Sequence, residues 1–142
     1  KGLLAINDDK TVDRPKKAYY AVQHLTAVFD ASVQALDNVR CQIERGDPEQ
    51  RYARFGYQAD GDRLLLALWR SSHKPGAKPK LERLDVRLPG RQFDSPVWVD
   101  LLSGRIYAID ESLVEKADDG MLIENVPVYD SPVLIGERGA FE

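Results

Sequence analysis

One cysteine, Cys41, stands in this sequence, so no internal disulfide forms. That leaves the redox compartment open, because an exported domain with an adequate core can omit cystines. The only histidines, His24 and His73, lie in strongly different contexts, and Cys41 has no helical or basic partner to activate it. Neither a zinc cluster nor a thiol nucleophile follows from these residues. No apolar run approaches the ~20 residues that a bilayer span needs. The expectation is a soluble chain, cytoplasmic or secreted, with no membrane partner. Charge of one sign is also scarce: the net charge is −3, and no nucleic-acid partner is expected. Gly56, Gly61 and Gly76 lack the spacing that cradles phosphate after a strand, and no cofactor or metal is expected.

What is present is ordinary globular composition, with 43% hydrophobic and 30% charged residues in 142. That length suits one domain, or one domain with a short appendage. It buries roughly two-thirds of its unfolded surface without a covalent staple. The first residue is Lys1 rather than Met, and the expectation is a piece of a longer protein with any leader upstream. Charge is unevenly spread. Residues 63–92 are rich in Arg and Lys, while residues 100–142 carry ten acidic and three basic side chains. An ordinary solvated surface accounts for this pattern.

The chain changes rhythm after Phe29. Asp13 as a cap, Pro15 in the first turn, and Tyr19, Val22, Thr26 and Phe29 at helical spacing predict an amphipathic helix over residues 14–29. Residues 30–38 read either as a continuation of the helix or as a linker. Strands are predicted over residues 39–43, 52–59, 64–69, 84–88, 97–102, 105–109, 121–123, 126–128 and 133–135. Asp60-Gly61-Asp62 turns the second into the third, the most secure hairpin of the chain. Residues 64–69 are almost continuously apolar, as in a central strand covered on both faces. Residues 71–80, with two prolines, a glycine and three lysines, read as an exposed loop. The resulting expectation is a mainly β fold: an antiparallel β-sandwich preceded by one amphipathic α-helix.

Three segments together carry a resemblance. They are KGLLA at residues 1–5, RPKKAYYAVQHL at 14–25 with Phe29-Asp30, and PVWVDLLSGRIY at 96–107 with VPVYDSPVLI at 126–135. The pattern resembles the C-terminal region of clan A-like multidomain glycoside hydrolases, where the last strand and helix of a TIM barrel lead into a β-sandwich. The resemblance implies that residues 1–37 are a terminal segment and helix of an upstream TIM-barrel domain, or a linker, and that residues 38–142 are an accessory sandwich. It implies a noncatalytic, structural role, with the catalytic carboxylates on earlier barrel strands that this chain does not contain. Tyr19, Val22, Leu25 and Phe29 would then pack against the upstream catalytic barrel, against the sandwich, or against a second copy through the helix.

Individual residues point to little chemistry. Glycoside hydrolysis needs two carboxyl groups flanking the scissile bond, and the spacing of Asp94, Asp100, Asp110, Glu111 and Glu124 pairs no two of them. Asp100 and Asp130 read as turn or capping residues. Asp60-Gly61-Asp62 and Asp118-Asp119-Gly120 lack the spaced ligands of a calcium loop. Trp69, Trp98 and Tyr107 could present a platform to the apolar face of a sugar, although their places in strong strands favour core packing. The alternative to a structural module is therefore an independent carbohydrate-binding module.

Overall fold

The computed structural model describes residues 2–59, 61–72, 78 and 80–141. The protein is mostly β, with antiparallel sheets and one N-terminal helix. The first strands are β1 (Leu4–Ile6) and β2 (Val12–Pro15), followed by the helix α1 (Lys17–Val28). Then come β3 (Gln34–Leu36), β4 (Gln42–Arg45), β5 (Tyr52–Ala59), β6 (Arg63–Arg70) and β7 (Glu82–Pro89). The remaining strands are β8 (Pro96–Asp100), β9 (Arg105–Ala108), β10 (Val114–Ala117), β11 (Gly120–Val128) and β12 (Val133–Glu137). A six-stranded sheet has the order β3-β5-β6-β12-β8-β9, a four-stranded sheet the order β10-β11-β7-β4, and β1 and β2 pair alone.

The core follows from strand periodicity. In β6, Leu64, Leu66 and Leu68 point to one face and Leu65, Ala67 and Trp69 to the other. The first set, with Val133 and Ile135 of β12, meets Leu84, Val86 and Leu88 of β7 and Met121, Ile123, Val126 and Val128 of β11 in one apolar cluster. Each such side chain, fully buried, contributes about 1.5–3 kcal/mol. On the opposite face of the six-stranded sheet, Ala67, Val97, Val99, Leu101 and Leu134 form a smaller cluster. Val28, Phe29, Tyr57, Trp69 and Phe141 pack over it.

Polar side chains stitch the two sheets together. Glu82 of β7 accepts from Arg70 Nη1 at 2.8 Å and from the Tyr52 hydroxyl at 2.7 Å. At the other flank, Trp98 Nε1 of β8 donates to the Pro127 carbonyl of β11 at 2.9 Å.

Several expectations are corrected. The helix begins at Lys17, not residue 14, because residues 12–15 pair with β1 instead. Asp13 binds Arg14 rather than capping the helix, the N-cap is Lys16 without a side-chain bond, and Lys16 N–H donates to the Leu3 carbonyl at 2.9 Å. The helix ends at Val28 and the chain turns at Asp30, whose carboxylate accepts from Ser32 N–H and Oγ. Residues 34–36 then enter the six-stranded sheet as β3, so sheet pairing starts before residue 38. The strand expected over 39–43 lies at Gln42–Arg45, where Ile43 pairs with Val86. The two strands expected over 121–123 and 126–128 are one strand, β11, with a bulge between Ile123 and Val126. Asn125 takes φ 56° there, a left-handed conformation that asparagine tolerates better than most residues. Among the described residues there are twelve strands, against nine expected segments. Asp60 of the expected Asp60-Gly61-Asp62 turn, and residues 73–77 and 79 of the expected loop, lie outside the described residues.

Arg70 and Glu82 are both largely desolvated, with side chains 10% and 14% exposed. Removing one member of such a pair leaves the other charge buried and unpaired, which costs about 3–5 kcal/mol. Glu82→Ala is therefore expected to lower unfolding free energy in urea by about 3 kcal/mol. A loss under about 1 kcal/mol, the ordinary cost of a surface pair, would contradict the clamp.

Candidate functional site

Strand register decides which aromatics meet. Leu66 lies opposite Ile135, and Ile135 lies opposite Trp98, so Trp98 shares the inner face of the six-stranded sheet. Trp69, an odd number of residues from Leu66, points to the outer face. The structure thus brings Trp98 to Tyr107, with ring centroids 5.6 Å apart and planes at 50°. Trp69 instead stacks on Phe55 at 5.3 Å and 14°. Trp69, Trp98 and Tyr107 do not form one platform.

Trp98 and Tyr107 line a cleft of about 330 Å³ at the flank where β8 and β9 approach β11. Arg83, Asp110, Glu124 and Asn125 supply its polar lining. Tyr107 is 46% exposed, whereas Trp98 is half-buried and tethered to Pro127. The β11 bulge shapes one wall, and a hydrogen-bonded group holds it. Arg45 donates from Nε and Nη2 to Asp85 at 2.7 and 2.8 Å and from Nη2 to Asn125 Oδ1 at 2.7 Å. Asn125 N–H donates to Asp85 Oδ1 at 2.9 Å. The Arg45 bonds hold the Asp85 carboxyl below the usual carboxylate range, with the Asn125 amide adding to them. Asp110 accepts from Ser112 N–H and Oγ at 2.9 and 2.7 Å, opening the short turn Glu111–Leu113. Those two bonds lower its pKa.

The other candidates lie outside this cleft. Asp100 accepts from Leu102 N–H at 3.0 Å, from Ser103 Oγ at 2.6 Å and from the Tyr129 hydroxyl. It organises the turn between β8 and β9. Asp130 is buried. Cys41 is buried too, and desolvation pushes its thiol up to about 11, against a smaller opposing pull from Arg54. At neutral pH it is a thiol, not a thiolate. Among the described residues, no group of three or more His, Cys, Asp and Glu is placed to hold a metal ion. No helix among them is long and apolar enough to cross a membrane.

The helix shows a different pattern from the one expected. Phe29 packs edge-on against Tyr57 with centroids 4.7 Å apart, but Tyr19, Val22 and Leu25 remain exposed. The partly buried helix positions are Ala21, His24 and Val28. His24 Nδ1–H donates to the Leu101 carbonyl at 3.0 Å, which fixes the ring tautomer. Gly104, at φ 70°, makes room for that ring: a Cβ there would lie 2.5 Å from His24 Nε2. Ala21, His24 and Val28 fall at three- and four-residue spacing. A small residue and a histidine gave that stripe too little apolar character to compete with the Tyr19 stripe.

Asp100 supplies a pH test. Burial pushes its carboxyl up, but bonds from Ser103, Tyr129 and Leu102 outweigh that, and its folded pKa lies below the ordinary value. A depressed folded pKa stabilises above the unfolded pKa of about 3.9, and the contribution fades as pH falls through the folded value. The difference in unfolding free energy between the parent and Asp100→Asn is expected to be flat from about pH 5 to 8 and to shrink below about pH 4. A difference that stays constant down to about pH 2.5 would contradict the assignment.

In comparison with known proteins, the chain matches no family model and no curated protein.

Proposed function

We propose that this chain is a noncatalytic accessory region of a glycoside hydrolase, in which the helix and hairpin dock on a catalytic barrel. The two larger sheets are the layers of a β-sandwich that supports it. The sandwich reading is supported by the cluster that both sheets share and by the clamps at Glu82 and Pro127. The noncatalytic reading is supported by the carboxylates of Asp100 and Asp110, which are engaged in local turns. The glycosidase class rests on the sequence resemblance.

The observation that carries the docking reading is the burial pattern. From residue 2 to residue 40 no residue is buried, although the segment forms a hairpin and a helix. A two-stranded hairpin is marginal on its own. Ile6 is 64% exposed and Val12 58%, and Leu3, Leu4, Tyr19, Tyr20, Val22 and Leu25 are exposed as well. So much apolar surface in one short stretch marks an interaction face rather than ordinary scattered exposure.

The face is tested by charge. Tyr19→Glu with Leu25→Glu is expected to reduce binding of a hydrophobic dye such as ANS and to leave the melting temperature nearly unchanged, since both positions are exposed. A parent protein that binds no dye, or a double variant that unfolds, would overturn the docking face. The barrel is tested separately in the reading frame upstream. Alternating strands and helices with carboxylates at strand ends are expected there, and a frame without them would overturn the glycosidase assignment.

A further inference from the structure

We propose that the cleft at Trp98 and Tyr107 binds one pyranose unit of a carbohydrate chain. The proposal rests on the glycoside-hydrolase reading for its ligand class and on the geometry of the cleft for its place. A pyranose ring presents an apolar C–H face and a rim of hydroxyls, each both donor and acceptor. A matching site therefore needs an aromatic face together with mixed donors and acceptors.

The cleft has both. Tyr107 is the exposed ring, and Trp98 is the fixed one, because its Nε1–H is already committed to the Pro127 carbonyl. The 50° tilt between them gives one stacking surface and one side wall, suited to a single ring rather than a flat ribbon of several. A volume of about 330 Å³ is at the small end of ligand clefts, which also fits one ring. Glu124 offers carboxylate acceptors, while Arg83 offers guanidinium donors. Asn125 commits its Oδ1 to Arg45, which leaves its amide N–H groups as donors. Asp110 and Glu124 set two carboxylates beside the one guanidinium of Arg83, so the charge of the lining does not itself exclude a cation, the other class that an aromatic pair attracts, and the choline arm of the test separates the two. The bulge that presents Glu124 and Asn125 is held before any ligand arrives, so little ordering cost remains to be met on binding.

The test is titration of the intact chain with cellohexaose, xylohexaose, mannohexaose, maltohexaose and laminarihexaose, followed by calorimetry and tryptophan fluorescence. Choline chloride serves as a cationic probe and myo-inositol as a polyol without a chain. At least one hexasaccharide is expected to saturate. Its affinity should fall about tenfold in Tyr107→Ala and measurably in Glu124→Gln, which changes an exposed side chain. Phe55→Ala, on the outer face of the sheet, should bind like the parent. Three outcomes would overturn the proposal: no hexasaccharide saturates, choline binds in preference to every sugar, or Phe55→Ala loses affinity while Tyr107→Ala and Glu124→Gln keep it. The ANS signal, read in the same proteins, depends on Tyr19 and Leu25 rather than Tyr107. Sugar silence with that signal intact removes this proposal and leaves the docking face standing.

Discussion

Burial of β6 on both sides is the constraint from which the architecture follows. Leu64, Leu65, Leu66, Ala67 and Leu68 are consecutive and all buried, so neither face of the six-stranded sheet is left to water along this strand. The inner face is covered by β7 and β11, whose alternating Leu, Val and Ile residues match it. Among the described residues, the outer face receives Val28 at the end of α1, Phe29 just beyond it, and Phe141. That cover is incomplete: Phe55 of β5, on the same face as Trp69, is 50% exposed. A sheet that must be dry on both sides and is covered unevenly accounts for the small cluster and the bare patch beside it.

Apolar layers alone do not fix how two sheets slide past each other. The polar clamps do, because each has a single geometry. Tyr52 and Arg70 reach Glu82 at one flank, and Trp98 reaches Pro127 at the other. The first is a desolvated ion pair whose formation is costly, a pattern more suited to specifying an arrangement than to adding net stability. The second holds an indole at the mouth of a cleft. The same contact that sets sheet against sheet thus also sets the aromatic geometry on which carbohydrate recognition would depend.

The central fold was legible because strand period and turn chemistry agree over β5, β6 and β7. Tyr52–Ala59 matches its expected bounds, and Leu84, Val86 and Leu88 face inward with Asp85 and Arg87 outward, as their alternation predicts. Illegible elements had physical reasons. β10, reading Val-Glu-Lys-Ala, has too little apolar content to mark an edge strand. Asp13 and Pro15 are good helix-start signals that lose to pairing with β1. The bulge at Asn125 looked like a break because its bonds run to Arg45 and Asp85, far away in sequence. The aromatic site was half legible. Each ring was recognisable, but the side of the sheet it faces depends on the register through β12, which no single strand reveals.

The helix is where pattern and packing part company, and the disagreement has content. Hydrophobic periodicity picks out Tyr19, Val22 and Leu25, while the folded chain covers Ala21, His24 and Val28 instead. A small side chain and one directed hydrogen bond are enough to seat the helix end at Leu101 and Gly104. They do not use the apolar stripe. The chain by itself partly buries one flank of the helix and leaves the apolar stripe exposed. The two flanks are therefore complementary rather than contradictory. One anchors the helix to the sheet, and the other is the face that the docking proposal assigns to a companion.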